Sequence, residues 1–420
     1  MSLLLKNTEN YGNVYIEEGR IAEIGCEPYD SDATINAAKR ALVPGFVNTH
    51  THAAMTLLRG YADDLPLLTW LSEWIWPLEA KMTGEDIYWG TKLACLEMIK
   101  TGTTTFNDMY WHVLASANAV DEMGIRSVMS NVLIDTGGES GGGGGEDRAV
   151  QKETERLTRR LRSDYSSRVI PALGPHAIYT VSEENLAWAA DFAREEDLLV
   201  HIHVSETEKE VSDCIEKTGL RPVEYLDRIG FLGPNVIAAH CVWLNDSEIA
   251  LLAKHDVKVS HNPTSNMKLA VGRMMDYPRL SRAGVNVSVG TDGCASNNNL
   301  NMLESAKFAS LSQKASANDP TMLPARATLA MITKNGAEAL RIGSGEIKEG
   351  AVADVLLIDL QLQEMVPLHN LDSNLIYASH GCVDTTICAG SVLMEGRKVA
   401  GEAEILKKAS EVAHDLAGRR

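Results

Sequence analysis

The sequence predicts an α/β chain: a (β/α)8 TIM-type barrel carrying a small β-sandwich domain built from both chain ends. Three observations predict it. Between about Leu42 and Ile342, eight strand-like apolar runs alternate with helical stretches. Four of those runs deliver an ionisable side chain at the C-terminal end, where parallel barrels open their active-site mouth. Outside that stretch, both ends of the chain return to short strands and turns.

The elements follow in order. Gly12-Asn13-Val14-Tyr15-Ile16 and Gly19-Arg20-Ile21-Ala22-Glu23-Ile24-Gly25 read as short strands of the small domain. The eight barrel strands are expected to end near Asn48, Asn107, Asn131, Leu173, Val204, Ala239, Ser260 and Gly290. Gly350 to Asp359 and Val383 to Gly390 are again strand-like, and Glu402 to Leu416 has helical spacing. The expected division is therefore 1–43 and 346–420 in the small domain, around a barrel of 44–345. Gly137-Gly138 and Gly141 to Gly145 read as a flexible loop after the third strand. They lack the Gly-Lys-Ser/Thr ending of a phosphate cradle. The charged run Gln151 to Arg162 reads as a solvated helix face.

Composition narrows the function. At 420 residues with 45% hydrophobic content, the chain can bury a large core. Its 39 basic and 57 acidic groups leave a net charge of -18, which repels nucleic acid and anionic membranes. No stretch has the uninterrupted apolar length of a membrane helix, and the start lacks the pattern of a signal peptide. The seven cysteines are scattered without a Cys-x-x-Cys, as reduced thiols of a cytoplasmic protein would be.

The chemistry begins at His50 and His52. Residues i and i+2 of a strand point the same way, so both imidazoles project from one face at a strand end and form half of a metal site. Three later runs offer the other half: His201-Ile202-His203 followed by Ser205-Glu206, Ala239-His240, and Gly290-Thr291-Asp292. Spacing alone does not choose between His201 and His203. His112, His255, His369, His380 and His414 fall outside the strand-end pattern and read as surface or core histidines.

These motifs resemble those of the amidohydrolase superfamily. The resemblance rests on Pro44-Gly45-Phe46-Val47-Asn48-Thr49-His50-Thr51-His52, Thr101 to Asp108, Gly174-Pro175-His176, His203-Val204-Ser205-Glu206-Thr207, Ala239-His240-Cys241, Ser260-His261-Asn262-Pro263 and Gly290-Thr291-Asp292-Gly293. Trp76-Pro77-Leu78-Glu79 and Ser265-Asn266-Met267-Lys268-Leu269 resemble the 5′-methylthioadenosine/S-adenosylhomocysteine deaminases, a group that includes 5′-deoxyadenosine deaminases. The resemblance implies His50, His52, His203 and Asp292 as ligands of one divalent metal, zinc or, where the cell supplies it, iron(II). No lysine ends the fourth strand to bridge a second ion. It also implies a homo-oligomer, dimer or tetramer.

The resemblance assigns roles to further residues. Glu206 would carry a proton from the attacking water to the purine ring nitrogen N1. His240 would orient the nucleophile, and Asp292 would double as ligand and base. Glu79 would accept hydrogen bonds from the ribose hydroxyls, His176 would contact sugar or purine, and Arg148 would meet a polar 5′ tail. His201 is left as a structural or supporting histidine, and His261 as a residue of loop shape. Trp70, Trp74 and Trp76 could wall an apolar pocket or serve ordinary helix packing.

The implied substrate is a small nucleoside: 5′-deoxyadenosine, 5′-methylthioadenosine, S-adenosylhomocysteine or adenosine. Two competing readings are hydrolysis of a flat heterocycle such as guanine, cytosine or a triazine, and a non-catalytic oligomeric scaffold. Glu79 speaks against the first, and the complete ligand set with Glu206 against the second. The His-x-Glu and Pro-Cys-x-x-Cys signature of the other zinc deaminases does not occur.

Overall fold

A computed structural model describes residues 2–28, 30–65, 69–135 and 146–419. The glycine-rich loop expected at 137–145 lies outside the described residues. Eight parallel strands follow one another in chain order around a barrel: Phe46–Thr51, Thr103–Tyr110, Arg126–Leu133, Val169–Pro175, Leu199–Val204, Val236–His240, Lys258–His261 and Val287–Val289. Each expected strand is present and ends close to its expected position. Bonds from the eighth strand's end to the first close the ring. Asp292 N donates to His50 O at 2.9 Å, and the side chain of Asn48 pairs with Thr291.

The strands form where apolar and β-branched residues run together, and helices cover their outer faces. The helix Gly84–Thr101 shows how local sequence sets the boundaries. Thr83 and Asp86 make a reciprocal capping box at its start, and Gly102 at φ +93° turns the chain out at its end. The barrel interior is filled rather than hollow. Val47, Val128, Ala172, Leu199 and Ile237 pack in its floor with Ala337 and Leu340.

Both chain ends build the second unit. In one sheet Ser2–Thr8 lies between Gly12–Glu17 and Ala33–Asn36, and Arg20–Ile24 pairs with Gly12–Glu17 at the edge. The other joins Arg40–Pro44 to Val355–Asp359, Val383–Cys388, Ser391–Glu395 and Lys398–Val399. Leu3, Val14, Ile21, Leu42, Val355 and Ile387 share one apolar core between the sheets, which makes the pair a sandwich. We propose the domain division expected from sequence, with the barrel at 44–345. A buried ion pair, Arg126 to Asp354, ties the third barrel strand to this unit. The final helix, Glu402–Gly418, packs on Gly84–Thr101. Arg419 beyond it grips Asp86 through both guanidinium nitrogens, at 2.7 and 3.0 Å.

Candidate metal centre and active site

The first strand brings its two histidines into the mouth through an irregularity. Val47 lies in the barrel floor, so simple alternation would turn His50 outward. The ladder to the second strand slips between Asn48 and Thr51. Consecutive residues therefore both face inward: Thr49 bonds Ser260 and Ser288 at 2.7 and 2.9 Å, and His50 Nδ1 meets His201 Nε2 at 2.6 Å. Gly290 makes room for this crowding, because a Cβ there would lie 2.6 Å from the Cβ of His50. On the fifth strand Leu199, His201 and His203 share the inward face. His240 and Asp292 are aimed by left-handed backbone at φ +71° and +65°, an uncommon conformation outside glycine that concentrates at functional sites.

These turns bring four of the expected ligands together. His52 Nε2 and His203 Nε2 stand 3.3 Å apart, and Asp292 Oδ1 is 3.4 Å from the Nε2 of both His50 and His52. The outward nitrogens are already engaged. His52 Nδ1 donates to Met109 O at 2.8 Å and His203 Nδ1 to His176 O at 2.7 Å, which leaves each Nε2 as a lone-pair donor. Asp292 Oδ2 accepts from Ser265 Oγ at 2.6 Å and Ser296 Oγ at 3.0 Å, so Oδ1 is turned to the cluster.

The donor set fits a divalent cation. His50 Nε2 is buried with no hydrogen-bond partner, a costly state unless something coordinates it. Burial lowers the His50 pKa to about 4 and holds His203 well below the ordinary histidine range. Burial opposes ionisation of Asp292, but His50 at 3.4 Å and the neighbouring His52 and His240 outweigh it and keep the carboxyl well below the usual range. Neutral imidazoles beside an ionised carboxylate are the protonation states that metal binding requires. His240 joins the same cluster with His50 and Asp292.

A cavity of about 950 Å³ opens over the cluster. Glu206, His240, His176, Glu79 and Tyr110 are among its lining residues. Glu206 Oε1 is 3.8 Å from His240 Nδ1, which also donates to Asn266 Oδ1 at 2.8 Å. Burial raises the Glu206 pKa, as a proton carrier needs. Glu79 Oε1 accepts from Tyr110 Oη at 2.6 Å, and desolvation raises its pKa as well. His176, with its Nδ1 2.9 Å from Thr180 Oγ1, is pushed down to about 3 by burial.

Other expected residues fall differently. Arg148 is exposed near the start of the helix Glu146–Ser163 and is not among the cavity-lining residues, whereas Glu153 and Arg156 of that helix are. Trp70 and Trp76 wall the cavity, while Trp74 packs edge-on to Tyr61. His112, read from sequence as surface or core, lies exposed at the mouth. His201 supports His50, and His261 is buried away from any hydrogen-bond partner. Sequence reasoning gave no role to Tyr110, Ser265, Ser296 or Asn266. Tyr110 could have been found, since it ends the second barrel strand.

A parallel barrel holding three imidazoles, one carboxylate and a neighbouring acid at its C-terminal mouth defines a metal-dependent hydrolase. Residues 41–393 match the amidohydrolase family, and the chain belongs to that family. It is 50% identical to a 5′-deoxyadenosine deaminase of Methanoregula boonei, covering 97% of this chain and 92% of the relative. It is 48% identical to 5-methylthioadenosine/S-adenosylhomocysteine deaminase 1 of Archaeoglobus fulgidus, covering 97% and 96%. Among solved structures, an adenosine deaminase from Xanthomonas campestris with bound zinc superimposes with a TM-score of 0.92. That match is at 34% identity and covers 99% of this chain and 98% of the other.

Proposed function

We propose that this protein is a hydrolytic deaminase of adenine nucleosides modified at the 5′ position, converting 5′-deoxyadenosine, 5′-methylthioadenosine and S-adenosylhomocysteine to inosine analogues and ammonia. One observation carries the reading. His52, His203 and Asp292 of the ligand cluster line one cavity together with Glu206 and Glu79, and Glu79 is a carboxylate suited to a ribose diol. The likeness to deaminases of those nucleosides along nearly the full chain supports the same substrates.

His50, His52, His203 and Asp292 would hold one divalent ion, zinc before iron(II), which would supply Lewis acidity and lower the pKa of water at the site. The chain's own residues do the rest. Glu206 takes the proton of the attacking water, gives one to N1 of the purine, and Asp292 helps pass a proton to the departing ammonia. His240, tied to Asn266, orients the nucleophile at C6 and stabilises the charge that develops. Glu79, held by Tyr110, accepts from the ribose hydroxyls, and His176 contacts the nucleoside beside them. Arg148, at the rim helix, is proposed to meet polar 5′ tails.

No helix among the described residues is long and apolar enough to cross a membrane. The seven unpaired, buried cysteines support a reducing, cytoplasmic setting. The family resemblance supports a homo-oligomer, which light scattering tests. The decisive experiment for function measures ammonia release from the three nucleosides and adenosine beside adenine, guanine, cytosine and a chlorotriazine. Turnover of the nucleosides is expected; good turnover of a free base or the triazine without them would overturn the assignment.

A further inference from the structure

Glu206 sits on a turn, not on a strand or helix, and the turn is locked from behind. Ser205, the residue before it, has left-handed backbone at φ +51°, a conformation that a serine does not hold without restraint. Two sets of bonds restrain it. On one side Ser205 O accepts from Val242 N at 3.1 Å and Trp243 N at 2.9 Å, just past His240. On the other side the Glu210 carboxylate takes both amides of the turn. Ser205 N donates to Glu210 Oε1 at 2.7 Å, and Glu206 N to Oε2 at 2.8 Å.

This is not ordinary helix capping. Thr207 caps the helix Glu208–Thr218, its Oγ1 accepting from Glu210 N at 3.1 Å. In a capping box the acid three residues on reaches back to the amide of the cap residue itself. Glu210 instead reaches past Thr207 to the two preceding amides. A helix dipole favours a carboxylate in the first turn but does not choose two amides outside the helix. The carboxylate is buried, so it holds the turn without competition from water.

We propose that Glu210 is a positioning residue for Glu206. Its carboxylate fixes the Ser205–Glu206 turn and so sets the proton-carrying carboxylate at its distance from His240 and the metal cluster. This inference rests on the reading of Glu206 as the proton carrier. Glu210 touches neither the ligands nor the cavity wall. Its loss should therefore act on turnover and not on metal or substrate binding.

The test compares the zinc-loaded wild type with Glu210→Gln, Glu206→Gln and the double variant, using 5′-deoxyadenosine. In Glu210→Gln the amide can accept from only one of the two N–H groups and sets its own N–H against the other. We expect kcat to fall by ~10- to 100-fold, as when a catalytic group is misplaced by about 1 Å, with KM and zinc content held. Glu210→Asp, shorter by one methylene but still charged, is expected to show the same loss confined to kcat. The double variant should be no slower than Glu206→Gln alone, because Glu210 acts through Glu206. A wild-type kcat in both Glu210 variants would overturn the proposal, as would losses that multiply in the double variant. Wild-type turnover in Glu206→Gln would instead remove the reading on which it rests.

Discussion

Truncating Glu79 to alanine tests how the cavity recognises a nucleoside. The carboxylate lies on the cavity wall, and its Oε1 is occupied by the Tyr110 hydroxyl at 2.6 Å. That bond leaves Oε2 for the ribose. A charge-assisted hydrogen bond to a substrate hydroxyl contributes about 1.5–3 kcal/mol. Losing it should lower kcat/KM for 5′-deoxyadenosine by ~10- to 150-fold, with most of the change in KM because the ribose contact is equally present before and during reaction. Zinc content should not change, since Glu79 is not among the clustered ligand atoms. The assay is ammonia release against substrate concentration, with metal analysis of the same preparation and adenine as a substrate that lacks the ribose. An unchanged KM for the nucleoside would refute the reasoning. So would an equal loss for adenine, which cannot engage Glu79 through a sugar.

Four further outcomes are expected. His50→Ala and Asp292→Ala should lose both metal and activity from a protein holding close to one divalent ion per chain. Two ions per chain, both needed for turnover, would contradict the single-ion reading. Glu206→Gln should keep metal and substrate binding while turnover falls at least ~100-fold, read by steady-state kinetics and metal analysis. KM for nucleosides should rise as pH falls, beginning above the ordinary carboxylate range. Desolvation raises the Glu79 pKa, and the protonated acid is a poorer acceptor for ribose, so the form that binds is the one lost on acidification. That rise in KM should vanish in Glu79→Gln. Arg126→Met should lower the unfolding free energy by ~3–5 kcal/mol, because it strands the buried Asp354 carboxylate at the junction of barrel and sandwich; denaturant titration measures it.

Much of this protein is legible in the chain. The alternation of apolar runs with helical stretches determines a parallel sheet covered by helices, and eight such units point to its closure into a barrel. The residues ending those runs determine the chemistry: imidazoles and carboxylates at the ends of parallel barrel strands must share one mouth, whatever the loops do. Spacing could not choose between His201 and His203, since both lie on the inward face of one strand. Depth decides it: His201 sits behind His50 and binds its Nδ1, while His203 Nε2 reaches His52. Nor could alternation foresee the slipped ladder after Asn48, which turns His50 inward, or the left-handed turns at His240 and Asp292. The partners Tyr110 and Ser265 were hidden because their roles depend on residues 31 and 27 positions away. Local sequence fixes which side chains a strand can offer; only packing among distant segments fixes which way each turns and what holds it there.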